Sequence, residues 1–156
     1  MIGLLQRVKR ASVEVNGETI AAIGAGLLVL VGVRPDDDEH SADRLLERLL
    51  AYRVIADSQG RMNLSLADLA ARGNAAGLLL VPQFTLAADT SSGARASFTS
   101  AAPPELACGL FQHLVDAACS RWPEAQAGRF GADMQVSLVN DGPVTFWLES
   151  GRSARR

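Results

Sequence analysis

Apolar positions recur in short alternating or continuous blocks along most of this chain, and they take up helical spacing only in two longer stretches. Residues 2–8 predict a strand. Residues 12–15 alternate polar with apolar up to Asn16-Gly17, a dipeptide suited to the positive φ angles of a two-residue hairpin turn, so the return strand is expected over residues 19–23. After Gly24 and Gly26 the run LLVLVGV is apolar without interruption, as befits a central strand covered on both faces. Leu45, Leu46, Leu49 and Leu50 have helical spacing behind the acidic run Asp36, Asp37, Asp38 and Glu39, whose carboxylates suit the positive end of a helix dipole. That run therefore needs no ligand.

Residues 53–55 suggest a short strand and residues 57–60 a turn. The stretch 57–76 carries no clear period and is expected to be a surface excursion. Residues 77–84 are strand-like, with Pro82 confined to an edge or to the strand's end because it donates no backbone hydrogen bond. Pro103 and Pro104 open a second helix, in which Leu106, Ala107, Leu110, Phe111, Leu114, Val115 and Ala118 form an apolar stripe that ends near Trp122-Pro123. Residues 134–139 and 144–148 are expected to form a hairpin around Gly142-Pro143, and residues 151–156 a disordered tail. Many strands, two or three helices and no internal repeat predict an α+β fold, with a mostly antiparallel, barrel-like sheet and packed helices in a single domain over residues 1–150.

Composition narrows the chemistry. With a net charge of −2 over 156 residues, any contact with nucleic acid depends on a local basic patch. No apolar run reaches the ~18 residues of a membrane span, and the start of the chain lacks a signal-peptide layout, so a soluble cytoplasmic protein is expected. Cys108 and Cys119 fall eleven residues apart on one helix, roughly 16 Å, too far to pair. They lack metal-site spacing and read as small core hydrophobes of a reducing compartment.

The inventory of catalytic side chains is thin. His40 sits in the acidic helix start and His113 away from most of the second helix's stripe, where it is expected to be exposed. No nucleophile elbow, zinc-protease, phosphate-loop or dinucleotide motif is present. Two segments stand out. In VPQFTLAADT, residues 81–90, strand geometry would put Gln83 and Thr85 on one face and Phe84 and Leu86 on the other; the polar pair either hydrogen-bonds neighbouring backbone or lines a pocket. In NDGPVTFWLES, residues 140–150, Gly142-Pro143 is either a stiffened hairpin turn or a cis step that points neighbouring carbonyls the same way.

Taken together, QRV (residues 6–8), QFTLAADT (83–90), GRFGADM (128–134) and VNDGPVTFW (139–147) resemble the D-aminoacyl-tRNA deacylase family, over nearly the whole chain up to about Glu149. The resemblance implies a cytoplasmic homodimer, without metal or organic cofactor, that hydrolyses the ester between a D-amino acid and the terminal adenosine of tRNA. It further implies a cis Gly142-Pro143 bond inserted into the partner's pocket, facing the substrate α-carbon. Gln83, Phe84 and Thr85 would then form the opposite wall, Arg7 would brace the loop, and Met134 would lie near the terminal adenosine. L-substrates are rejected by clash, whereas glycyl-tRNA, with no side chain to clash, is expected to react. For the chemical step Thr85 as a nucleophile competes with water attack assisted by the ribose 2′-hydroxyl, and the lack of a base beside Thr85 favours the second.

The chain departs from the family pattern at Pro82, where the family usually has Ser, and at Ala96, where it has Pro. Lys9, Arg10, Arg95 and Arg129 are the basic residues available for tRNA phosphates. Other readings are a non-catalytic RNA- or protein-binding dimer on the same scaffold and a general small-ester hydrolase using Thr85.

Overall fold

The computed structural model describes residues 1–151. The tail expected over 151–156 therefore lies, beyond Gly151, outside the described residues. Strand β1 (Ile2–Val15) is a single 14-residue ribbon, turned by Asn16 (φ 52°) and Gly17 (φ 78°) into β2 (Glu18–Ile23) as the dipeptide predicts. β3 (Gly26–Gly32) follows, then α1 (Glu39–Ala51), β4 (Ile55–Ala56), β5 (Met62–Leu64) and α2 (Leu66–Ala71). β6 (Gly77–Pro82), a 3-10 turn (Phe84–Ala87), α3 (Pro104–Arg121), β7 (Ala125–Ala127) and β8 (Gln135–Glu149) complete the chain.

β1 organises the sheet. β8 runs antiparallel along the whole of one edge, while the other edge is shared between β3, opposite the first half of β1, and β2, opposite the second half. Beyond β3 the pairing turns parallel, β3 with β6 and β6 with β7, so the sheet, mostly antiparallel as expected, is mixed at this side. Parallel neighbours need long crossovers, and α1 with α2, then α3, supply them. The sheet nearly closes on itself where β2 meets β7, the Ala22 N–H donating to Gln126 Oε1 at 2.8 Å, while the Gly77 N–H opens the β3–β6 ladder on the Ala25 carbonyl at 2.9 Å. A Cβ on Gly26 would overlap the Gly77 carbonyl, which is why the chain carries glycine at this seam.

Two apolar cores result. One fills the barrel, with Val8, Val13, Ile23, Leu28, Leu79 and Val81; the other joins the sheet's outer face to the helices through Leu5, Leu27, Leu45, Leu49, Leu110 and Leu114. Of the acidic run, Asp38 caps α1 by accepting the Ser41 N–H at 2.8 Å. Asp37 does something else: it is buried, and its carboxylate takes the Met1 ammonium and the Arg34 N–H.

Several expectations change. The strand expected at 53–55 is Ile55–Ala56, and the unassigned stretch contains β5 and α2, too short to show a period. Cys108 and Cys119 are exposed, because both sit about a third of a turn round α3 from the stripe of Ala107, Leu110, Leu114 and Ala118. His113 is half-buried rather than exposed; its Nε2 lies 2.9 Å from Asp43 Oδ1 on α1. No helix among the described residues is long and apolar enough to cross a membrane.

Candidate active site

Gly142-Pro143 is not a hairpin turn. Both flanks belong to β8 and pair with β1: Thr145 faces Gln6 and Asn140 faces Val8, so residues 141–144 loop out of a continuous strand opposite Arg7 alone. A hairpin would reverse the chain; here it keeps its direction and a bulge absorbs the extra residues. The bulge is tightly held. Asn140 clamps its base, Oδ1 accepting the Val144 N–H at 2.7 Å and Nδ2 donating to Thr145 Oγ1 at 2.9 Å. From below, Arg7 Nε donates to the Asp141 carbonyl at 2.9 Å while Nη1 donates to the Val54 carbonyl at 2.7 Å. Gly142 has φ +146°, and a Cβ there would lie 2.6 Å from Val144 Cγ2, so only glycine fits without strain. The Gly142-Pro143 bond is cis, and both residues are exposed at the tip.

The second element is the turn after β6. The Gln83 N–H still bonds the Val31 carbonyl at 2.7 Å, but the ladder ends there. Leu86 N–H then donates to the Gln83 carbonyl and Ala88 N–H to the Thr85 carbonyl, each at 3.2 Å, which makes residues 84–87 a 3-10 turn instead of the expected strand. Pro82 has no N–H to donate, yet it stays paired with Val31, and the strand gives way to the turn only after the Gln83 bond. Gln83 and Thr85 nonetheless meet: Gln83 Nε2 donates to Thr85 Oγ1 at 2.6 Å. Being first in the turn, the Phe84 and Thr85 N–H groups lack an acceptor within it.

Thr85 lines an open cleft of about 690 Å³ with Leu86, Ala87, Ser100, Arg34 and Trp147. Glu149 holds the far wall, accepting from Arg34 Nη1 and Nη2 at 3.1 and 2.9 Å and from Trp147 Nε1 at 2.8 Å. The Arg34 hydrogen bonds, then the Trp147 indole, lower the Glu149 carboxyl from 4.5 to about 2, while the same bonds raise Arg34. Met134 stands on the other side of the turn: its Sδ accepts the Arg129 N–H at 3.4 Å, and Gly128 separates it from the Pro82 ring. It also packs against the barrel core.

Arg7 thus joins Gly142 and Pro143, and Met134 lies by Pro82 at the root of the turn carrying Gln83, Phe84 and Thr85. The two groups do not meet within the chain. From Arg7 the register leads to Leu27 on β3, thence to Leu78 on β6, five residues short of Gln83; the bulge and the turn are roughly 20 Å apart along the sheet. The Asn140 clamp escaped sequence reasoning, although Asn in a turn commonly bonds backbone a few residues away. Arg34 and Glu149, 115 positions apart, left no local signal. Among the described residues no group of three or more His, Cys, Asp or Glu side chains is arranged to hold a metal ion.

A six-stranded, nearly closed mixed sheet with helices packed on it, beside a site of main-chain carbonyls, amide N–H donors and the Gln83 and Thr85 side chains, defines a small α+β domain. The chain belongs to the D-Tyr-tRNA(Tyr) deacylase family, whose family model matches residues 4–149. It is 62% identical over 149 residues to a D-aminoacyl-tRNA deacylase of Thioalkalivibrio sulfidiphilus, covering 96% of this chain and 97% of the relative. It is 59% identical to one of Burkholderia cenocepacia, with 96% and 98% covered. Both relatives are named as deacylases of D-aminoacyl-tRNA. Among solved structures, the c-Myc DNA unwinding element binding protein superposes with a TM-score of 0.88 at 37% identity, over 96% of this chain and 99% of the other. A probable eukaryotic D-amino acid tRNA deacylase shares the fold, with a TM-score of 0.78 at 14% identity over 95% and 98%.

Proposed function

We propose that this chain hydrolyses the ester of D-aminoacyl-tRNA, releasing the D-amino acid and tRNA, and that it works as a homodimer in which the bulge of one protomer faces the 83–85 turn of the other. One observation carries the dimeric reading. The Gly142 and Pro143 main chain is exposed, rigidly braced and roughly 20 Å along the sheet from its own Gln83 and Thr85. A braced pair of carbonyls serves a pocket only where a second copy brings it there.

In this arrangement the carbonyls of Gly142 and Pro143 stand against the substrate α-carbon. A hydrogen fits in that space and an L side chain does not, so selection is by exclusion and the D side chain needs no pocket of its own. Glycyl-tRNA passes the same filter and is a second substrate. Opposite, the Phe84 and Thr85 N–H groups receive the oxyanion as water attacks the ester carbonyl, and the terminal ribose 2′-hydroxyl assists the proton transfer. Thr85 accepts a hydrogen bond from the Gln83 amide and has no base to activate it, which supports a positioning role. Met134 and the Gly128 backbone flank the terminal adenosine.

The decisive assay compares D-tyrosyl-tRNA, L-tyrosyl-tRNA, glycyl-tRNA and a simple D-amino ester. Release from the D-tyrosyl and glycyl substrates alone is expected. Release from every ester identifies a general esterase, and binding without release identifies an RNA-binding protein on the same scaffold. A glycyl rate as low as the L-tyrosyl rate contradicts selection by clash.

A further inference from the structure

The proposed reaction leaves two aromatic rings beside its site without a role. Phe84 is 57% exposed and Phe98 47%, yet their ring centroids lie only 5.2 Å apart. Phenylalanines are usually buried, so a pair exposed on the single chain marks a contact surface, of which Phe84 belongs to the turn that the partner's bulge faces in the proposed dimer. The pair is presented by ordered backbone: Asp89 and Ser97 exchange main-chain hydrogen bonds at 2.8 and 2.9 Å, and Ser100 Oγ ties the same loop to the Ala87 carbonyl at 2.6 Å. Two exposed arginines, with no guanidinium partner among the described residues, lie close by in the chain. Arg95 belongs to the loop closed by Asp89 and Ser97, three residues before Phe98, and Arg129 follows Gly128, where an added Cβ would lie 3.4 Å from the Pro82 ring.

We propose that Phe84 and Phe98, with Arg95 and Arg129 nearby in the chain, form the platform for the unpaired nucleotides that precede the terminal adenosine of tRNA. A base lies on the rings and the guanidinium groups meet the adjoining phosphates. This rests on the reading that places the ester at the 83–85 turn. Stacking suits any base because every base has a π face, and cations tracking the backbone supply the rest. A chain of net charge −2 has no general attraction for RNA, so its anchoring must be local. A second copy is the competing occupant of the rings. Around Phe98, however, the exposed neighbours are Ser91, Ser92, Arg95, Thr99 and Ser100, a setting that matches a polyanion better than the apolar centre of a protein interface.

The test uses the full chain, the variants Phe98→Leu and Arg95→Gln, and two substrates: D-tyrosyl-tRNA and D-tyrosyl-adenosine, which lacks the preceding nucleotides. Phe98→Leu keeps apolar bulk and deletes the ring. It should raise KM for the tRNA substrate about tenfold while leaving kcat and the adenosine substrate unchanged. Arg95→Gln should reduce the slope of log kcat/KM against log salt by about 0.7 for the tRNA alone. Equal losses on both substrates, no change on either, or conversion of a dimer to a monomer by Phe98→Leu in sedimentation overturns the platform, the last in favour of a second copy. If the wild type cleaves neither substrate, the ester reading falls by itself. Fluorescence anisotropy with uncharged tRNA then decides the platform: a tenfold weaker Kd for Phe98→Leu supports it, and an unchanged Kd rejects it.

Discussion

The bulge at Gly142-Pro143 and the turn at Gln83 to Thr85 are built on opposite plans. Both ends of the bulge are set in the β1–β8 ladder, its base is clamped twice by Asn140, and its underside is pinned by an arginine that reaches from Asp141 to Val54. The turn hangs from the end of one strand, held by 3-10 hydrogen bonds and two side-chain contacts, with Phe84 and Thr85 exposed. On the proposed reading the bulge selects by repulsion and must not yield, since an ångström of give would readmit the wrong enantiomer. A part that offers donors to a developing charge needs placement, but it tolerates variation in the side chains around it.

The sharpest way to break this comparison is Gly142→Ala. The methyl would enter a φ of +146° and lie 2.6 Å from Val144 Cγ2. With strain of order 3 kcal/mol, kcat/KM on D-tyrosyl-tRNA should fall about 100-fold while circular dichroism stays native. Next comes Arg7→Ala, which frees the Asp141 and Val54 carbonyls and costs ~1–3 kcal/mol in chemical denaturation. Its signature is loss of selectivity: the ratio of D- to L-tyrosyl-tRNA rates should drop about tenfold, whereas an unaltered ratio shows that the bulge needs no brace.

On the turn, Thr85→Ala should stay within about tenfold of the wild type, because only a contact to the Gln83 amide is lost. A 2′-deoxy terminal adenosine should abolish hydrolysis. A thousandfold loss in the alanine variant would make Thr85 the nucleophile. The smallest effect concerns Glu149. Its carboxyl is depressed from 4.5 to about 2, so the stability it adds is complete above pH 4.5 and disappears as the pH falls through about 2. With side chains 42% and 49% exposed, the Arg34–Glu149 pair is screened and contributes below ~1 kcal/mol. Melting curves of wild type and Glu149→Gln should differ slightly at pH 6 and converge near pH 2.

Much of the framework was legible before any coordinates. Asn16-Gly17 specified the first hairpin because few residue pairs accept its dihedrals, LLVLVGV marked β3 by being apolar on both faces, and Pro104 and Trp122 bounded α3. The family segments were recognisable as a set, and the structure shows Arg7 Nε donating to the Asp141 carbonyl of the bulge. The errors share a cause. Two apolar runs flanking Gly-Pro look the same whether the chain reverses or continues, and only pairing of both flanks with β1 distinguishes a bulge from a hairpin. Likewise the alternation in QFTL is compatible with a strand until no neighbour is left to pair with it. Cys108 and Cys119 were assigned by residue type when the helical period already placed them off the stripe.

What the amino-acid order determined by itself is local: where the backbone must turn, which faces are apolar, and which residue types are available for chemistry. These follow from dihedral preferences and periodicities that act over a few residues. What only the tertiary structure decided is long-range: that β1 carries three partners, that Glu149 closes on Arg34, and that the bulge stands away from its own chain's turn. Such contacts depend on register between distant segments, and register is set by the burial of whole faces at once, which no single stretch of sequence encodes.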